Sequence, residues 1–297
     1  RTSISTSWRN PHLFDSDYSL GIALSRTDST SLDWDELRHS ASVTVGRNFL
    51  DNDLRLSLGY GIYHLKADDV DFDASDAAFD GQGSYLNNYL QFSQDLDLLD
   101  NQRLPTSGFS LDFSQRVTGS VLPSDDEFVS LDFGATGYVP LFRGELGGVT
   151  YLRLRHTNRL LEPIGDSETV PFYDRIYGGG PAPRHRGFDN LDLGPFARNR
   201  NDVLARQGGT SEWLSTVEVV FPIQGLNSGM RAVLFTDIGN VWGEDDNIDP
   251  GDLRTAIGIG MRFPPQFPIA LDYAWLLDRR SGESAGQFHF SLSGFAF

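Results

Sequence analysis

The dominant signal along this chain is an alternation of apolar and polar residues with a period of two. Leu54, Leu56, Leu58, Tyr60 and Ile62 alternate with Arg55, Ser57, Gly59 and Gly61. Phe109, Leu111, Phe113 and Val117 alternate with Ser110, Asp112, Ser114 and Arg116. Leu253, Ile257, Ile259, Met261 and Phe263 stand against Arg254, Ala256, Gly258, Gly260 and Arg262. Phe267, Ile269, Leu271, Tyr273, Trp275 and Leu277 stand against Pro268, Ala270, Asp272, Ala274 and Asp278. Successive side chains of a strand point to opposite faces, so each run is a strand with one apolar and one small or polar face. The pattern predicts thirteen strands, at 2–9, 17–26, 38–48, 53–66, 84–95, 107–118, 127–139, 145–158, 211–222, 229–242, 252–263, 267–278 and 286–297, and calls for no helix.

These runs are long for a soluble sandwich, whose strands are usually about 5–6 residues. They suit strands that cross a bilayer with tilt. The polar face repeatedly carries Arg and Asp, which a dry sandwich core does not accept unpaired. The fold expected is therefore all-β, a transmembrane antiparallel β-barrel with the apolar face toward lipid; a large secreted β protein is the competing reading. The links agree. Short ones at 48–52, 140–144, 222–227 and 264–266 alternate with longer or acidic ones at 27–37, 67–83, 119–126, 159–210, 243–251 and 279–285. Short turns on one rim and long loops on the other are the asymmetry of bacterial barrels.

Composition sharpens this reading. The 297 residues carry 41 acids against 24 Lys and Arg, a net charge of −17, and no Cys. Such a chain repels polyanions, which argues against a nucleic-acid partner. No apolar run is long enough for a membrane helix. The acids follow the long rim: Asp28, Asp33, Asp35 and Glu36 in one loop, six Asp from Asp68 to Asp80 in the next, and Glu244, Asp245, Asp246 and Asp249 in another, with no base among them. A solvated, self-repelling rim is expected there, with divalent-cation binding as the sharper alternative. Asp69, Asp71, Asp73 and Asp80 imitate the spacing of a calcium loop, but Ala74 stands where the turn needs Gly and Asp80 replaces the bidentate Glu. The six His lack metal-ligand spacing, and no nucleophile elbow or phosphate loop occurs. The chain is expected to hold no metal or cofactor and not to be an enzyme.

The link 159–210 is different. It has seven Arg and seven acids and contains Pro171-Phe-Tyr-Asp-Arg-Ile-Tyr177, Gly178–Gly180 and then Arg184-His-Arg-Gly-Phe188. A loop this long is functional or disordered, and its balance suggests folding against a polar surface, the lumen. Alternation turns Glu218 and Asp237 inward on neighbouring strands. An Arg at a loop tip can bond both carboxylates.

At this point the residues resemble a family. Arg186-Gly187-Phe188 is similar to the loop tip of the BamA-type outer-membrane assembly factors. Phe235-Thr-Asp-Ile-Gly-Asn-Val-Trp242 resembles their strand signature, with Glu218 where they place a second acid. Asp100–Gly108 resembles one of their turns. The C-terminal run carrying Phe288, Phe290, Leu292, Phe295 and Phe297 resembles their closing strand. His185 departs, since an aliphatic residue usually precedes the Arg. The resemblance implies a sixteen-stranded barrel in the outer membrane of a Gram-negative bacterium, with a long loop in the lumen clamped by Arg186, Gly187, Phe188, Glu218 and Asp237. It implies insertion of unfolded outer-membrane β-barrel clients into the lipid bilayer by templating at a seam, with accessory lipoproteins acting through periplasmic POTRA domains that this sequence lacks. Residues 1–297 would be one barrel domain, three strands short at the N-terminal side, with 2–9 corresponding to the fourth family strand. The alternative is a polypeptide secretion or translocation channel of the same superfamily; a passive porin ranks third.

Overall fold

The computed structural model describes residues 2–30, 33–119, 121–144, 148–223, 229–244, 246, 248–264 and 269–292. Thirteen strands form one antiparallel sheet in sequence order. They are β1 (Thr2–Asn10), β2 (Tyr18–Thr30), β3 (Asp35–Phe49), β4 (Leu54–Asp68), β5 (Gly83–Asp97), β6 (Gly108–Thr118), β7 (Phe128–Arg143), β8 (Val149–Pro163), β11 (Ser211–Pro222), β12 (Arg231–Trp242), β13 (Arg254–Arg262), β14 (Ile269–Leu276) and β15 (Gly286–Leu292). Among the described residues, β1 pairs only with β2 and β15 only with β14, so these residues show no closure. The expected final strand runs past Leu292 into 293–297, and Phe295 and Phe297 lie outside the described residues, as do parts of the turns at 224–228 and 265–268.

The period of two sets the faces. Leu234, Ile257, Ile259 and Trp275 are exposed on the outer wall, where lipid replaces water as solvent. Their chain neighbours Val233, Ala256, Ala274 and Leu276 are buried on the inner side. Glu218, Asp237, Arg262 and Asp272 also point inward and are at most 2% exposed. Asp112 lies on the inner face with Gly134, whose added Cβ would fall 2.4 Å from its carboxylate.

Three expectations are corrected. The segment 67–83 contains a one-turn helix, α1 (Asp76–Asp80), capped by Ser75, whose hydroxyl accepts from Ala78 N–H at 3.2 Å. A serine cap and two Ala outweigh the strand tendency, and Ala78 is buried beneath the long loop. The acidic link at 27–37 is mostly strand, because the β2–β3 ladder continues to the pair Thr30–Asp35; above a membrane polar side chains cost a strand little. The long link also carries a separate hairpin, β9 (Phe196–Arg198) with β10 (Leu204–Arg206).

Candidate lumen clamp

β8 and β11 are hydrogen-bonded neighbours, yet the chain between them leaves the wall and crosses the interior. It is anchored at two places. On the side of β3 and β4, the Asp174 carboxylate accepts from Arg38 at 3.2 Å and from Tyr63 Oη at 2.8 Å. Tyr173 donates its hydroxyl to Asp126, and Phe172 meets Trp34 edge-on at 4.9 Å. Burial, then the Asp126 carboxylate that accepts its hydrogen bond, push the Tyr173 phenol well above its usual range.

The second anchor is the loop tip. Arg186 is 1% exposed and spends its whole donor fork. Its Nε and Nη2 donate to the two oxygens of Asp237 at 2.8 and 2.7 Å, and its Nη1 to Glu218 at 2.7 Å. Its backbone N–H adds a fourth bond, 3.0 Å to Asp237. The guanidinium plane lies 3.3 Å from the centre of the Phe235 ring, an inward side chain two residues before Asp237. Burial alone would lower the Arg186 pKa, but Asp237 foremost and then Glu218 raise it, so the group stays charged.

The acids are themselves shared. Glu218 pairs with Arg153 of β8 and lies 3.8 Å from Arg262 of β13. Arg262 donates to Asp272 of β14 at 2.8 Å, and Asp272 stands 3.5 Å from Arg186. Thr216 Oγ1 donates to Asp237 at 2.9 Å. Three guanidinium groups pair with three carboxylates inside the sheet, which is how buried charge is tolerated, and Arg155 of β8 adds a fourth guanidinium close enough to act on Glu218. Six strands or loop segments meet at this one cluster.

The rest of the tip fits by shape. Gly187 has no room for a side chain: an added Cβ would meet Ala256 Cβ at 2.8 Å, His185 Cε1 at 3.0 Å and Leu276 Cδ1 at 3.1 Å. Phe188 is buried against His185 and under the Arg254 guanidinium, 4.8 Å from its ring centre. His185 donates from Nε2 to the Arg254 carbonyl at 3.0 Å and accepts from Gly187 N–H at Nδ1, so it is the neutral tautomer. Burial lowers its pKa, against the pull of Asp237. On the last described strand, Phe288, Phe290 and Leu292 face outward and exposed, while His289 between them points inward and donates to the Arg186 carbonyl at 2.8 Å.

All five residues expected in the clamp thus meet at one place, and Phe288, Phe290 and Leu292 lie away from it on the lipid face. Arg153, Thr216, Arg262, Asp272 and His289 were not assigned to it from the sequence. The signal was present, because each occupies an inward position of its strand, but their convergence needs the register. The acidic rim is also corrected. Arg200 donates to Asp76 at 3.0 Å and Asp80 at 2.7 Å, Arg206 to Asp33 at 3.1 Å, and Arg175 to Glu244 at 3.4 Å. Acids that lack a base in their own loops find one in the long link.

A family model described as the Omp85 superfamily domain matches residues 1–296. The chain is 29% identical over 250 residues to the outer membrane protein assembly factor BamA of Neorickettsia risticii, covering 82% of this chain and 32% of that protein. It is 26% identical over 155 residues to the outer membrane protein assembly factor BamA of Neisseria meningitidis serogroup B, covering 43% and 19%. The chain therefore spans about a third or less of the curated relatives it matches. In fold it is similar to the crystal structure of BamA from Haemophilus ducreyi lacking POTRA domains 1–3, with a TM-score of 0.79 at 21% identity over 97% of this chain and 61% of that one. It is also similar to CdiB from Acinetobacter baumannii, with a TM-score of 0.59 at 15% identity over 98% and 50%.

Proposed function

Because the chain belongs to the Omp85 superfamily, we propose that it is the membrane domain of an outer-membrane assembly factor that folds and inserts β-barrel proteins. The observation that carries this reading is the loop locked across the lumen. Moving a polypeptide through the interior would require breaking a buried cluster of three Arg and three acids, whereas a client assembling at the wall leaves it intact. Unpaired backbone groups at a strand edge are costly in lipid, and an incoming client strand satisfies them. Clients and accessory lipoproteins are received by POTRA domains of the full-length protein, and residues 1–297 belong to its transmembrane domain. None of these steps needs a catalytic side chain.

Both curated relatives bear the assembly-factor name, which favours this role. The secretion channel of the same superfamily is the second reading, kept because the fold is similar to CdiB as well as to BamA. Reconstitution of the full-length protein in vesicles separates them. Faster folding of an added unfolded β-barrel client, scored by protease resistance, with only small flickering currents, is the expected result. Transport of an unfolded polypeptide into the vesicles with no gain in client folding would overturn it.

A further inference from the structure

The outer wall of β2, β3 and β4 changes chemistry at one height. Two apolar rows cross the three strands, Ile22–Val43–Tyr60 and, next above, Leu24–Ala41–Ile62. The next outward row is basic: Arg26 lies opposite His39, and His39 opposite His64, with the imidazoles stacked at 6.5 Å between centroids. Lys66, the chain's one lysine, stands a row higher on β4. All four are exposed. The side chains of Arg26, His39 and His64 make no hydrogen bond or ion pair among the described residues, and Lys66 pairs with Asp68.

Height decides what such a row can meet. His39 lies ten residues from Phe49 at the short-turn end of β3. That is about 33 Å along the strand, or about 25 Å across a bilayer at the usual tilt, the height of a barrel's apolar band. The bases therefore stand where headgroups begin, on the side of the long loops. Asp28 stands level with Lys66, and one row higher the outward face is acidic, with Asp35 and Asp68. A soluble anion arriving from water meets those carboxylates first. A headgroup phosphate instead arrives at the level of the bases, already held there by its acyl chains over the apolar rows.

We propose that Arg26, His39, His64 and Lys66 form a binding site for the phosphate of an anionic lipid in the leaflet on the long-loop side. Arg supplies a planar fork for phosphate oxygens and Lys a mobile point charge, each with an aliphatic stem that covers apolar surface. Such a lipid would fix the depth of this wall in the membrane, independently of what the lumen does.

The test uses the full-length protein in nanodiscs of phosphatidylcholine with a minor share of phosphatidylglycerol. Lipids retained on the protein are counted by native mass spectrometry, with and without excess inorganic phosphate. Retention enriched in phosphatidylglycerol, unaffected by phosphate, is expected for the native protein. In R26Q/H39Q/H64Q/K66Q that enrichment should fall on the order of tenfold, from the loss of two full charges near the surface. Should the fourfold variant not fold, R26Q/K66Q is read the same way, with R200Q as a control away from the row. Equal enrichment in variant and native protein would overturn the proposal, and so would displacement of the lipid by inorganic phosphate, which would mark a soluble-anion site.

Discussion

The Nε2 of His289 lies 2.8 Å from the carbonyl oxygen of Arg186. A side chain on the last described strand thus holds the backbone of a loop tip 103 residues away, whose guanidinium grips β11 and β12. A buried hydrogen bond thus joins the loop tip to β15. In His289→Leu the buried carbonyl loses its donor, which should cost about 1–3 kcal/mol. The amides of 184–190 should then exchange faster with deuterium, and His289→Gln, which keeps a donor, should restore much of the protection. Unchanged exchange in His289→Leu would show that the bond couples nothing.

Arg186 neutralises two carboxylates that sit at 1% and 0% exposure. Its removal in Arg186→Met leaves Asp237 without its guanidinium partner, a loss expected at about 3–5 kcal/mol, while Glu218 keeps Arg153. The combined variant R186M/D237N removes the paired charges together, leaves Glu218 with Arg153, and should be less damaging than R186M alone. Urea midpoints in detergent micelles, with protease cleavage of the loop as a second readout, check the order. R186M proving the more stable of the two would refute the account.

Gly187 is set by a close approach rather than by its backbone angle. Gly187→Ala forces a methyl against Ala256 Cβ at 2.8 Å, and overpacking of this kind costs about 1–3 kcal/mol. Adding Ala256→Gly should recover part of the loss. Melting temperatures of the single and double variants measure it; no recovery would mean that the clash lies elsewhere.

Burial holds the His185 imidazole below its usual pKa, more strongly than Asp237 and the Arg254 carbonyl raise it. The folded state then refuses a proton that the unfolded state accepts. Its contribution is full above about pH 6.5 and is lost as the pH falls below that value. Urea midpoints of the native protein should drop more between pH 7.5 and 5 (working values of about the range set by free His) than those of His185→Leu. Parallel pH profiles would remove His185 as the cause.

Asp100 titrates in the same sense but at lower pH. Burial acts upward on its carboxyl, but bonds from Thr106 and Ser107 bring it down to about 2. Thr106 contributes both N–H and Oγ1, at 2.9 and 2.7 Å, and Ser107 its N–H at 3.1 Å. The turn's support is full above the unfolded value of about 3.9 and disappears as the pH falls through about 2. Exchange protection of the Thr106 and Ser107 amides should follow that course in the native protein and be low at every pH in Asp100→Ala.

Alternation is a property of each strand alone, which is why the chain's own order of residues settles so much here. With a period of two, Leu234, Ile259 and Trp275 had to share the outer face while Asp237, Arg262 and Asp272 turned inward, whatever the neighbours were. Strand number follows as well, and so does the meander order of the strands that short links join; β8 and β11 pair although the long link 159–210 parts them. The density of Arg, Gly and aromatics in 159–210 marked a loop with a lumen role, and resemblance singled out its Arg-Gly-Phe tip. What the pattern could not decide was who meets whom. Arg153, Glu218, Asp237, Arg262 and Asp272 lie on five strands, and only the pairing register brings them to one height. The landing points of the loop are likewise decided in three dimensions. Arg200 reaches Asp76 and Asp80 from over a hundred residues away, turning an acidic rim that reads as self-repelling into one partly neutralised from within the same chain. Coulomb pairing depends on distance in space, and the path of a loop without periodicity carries no local signal of where it ends.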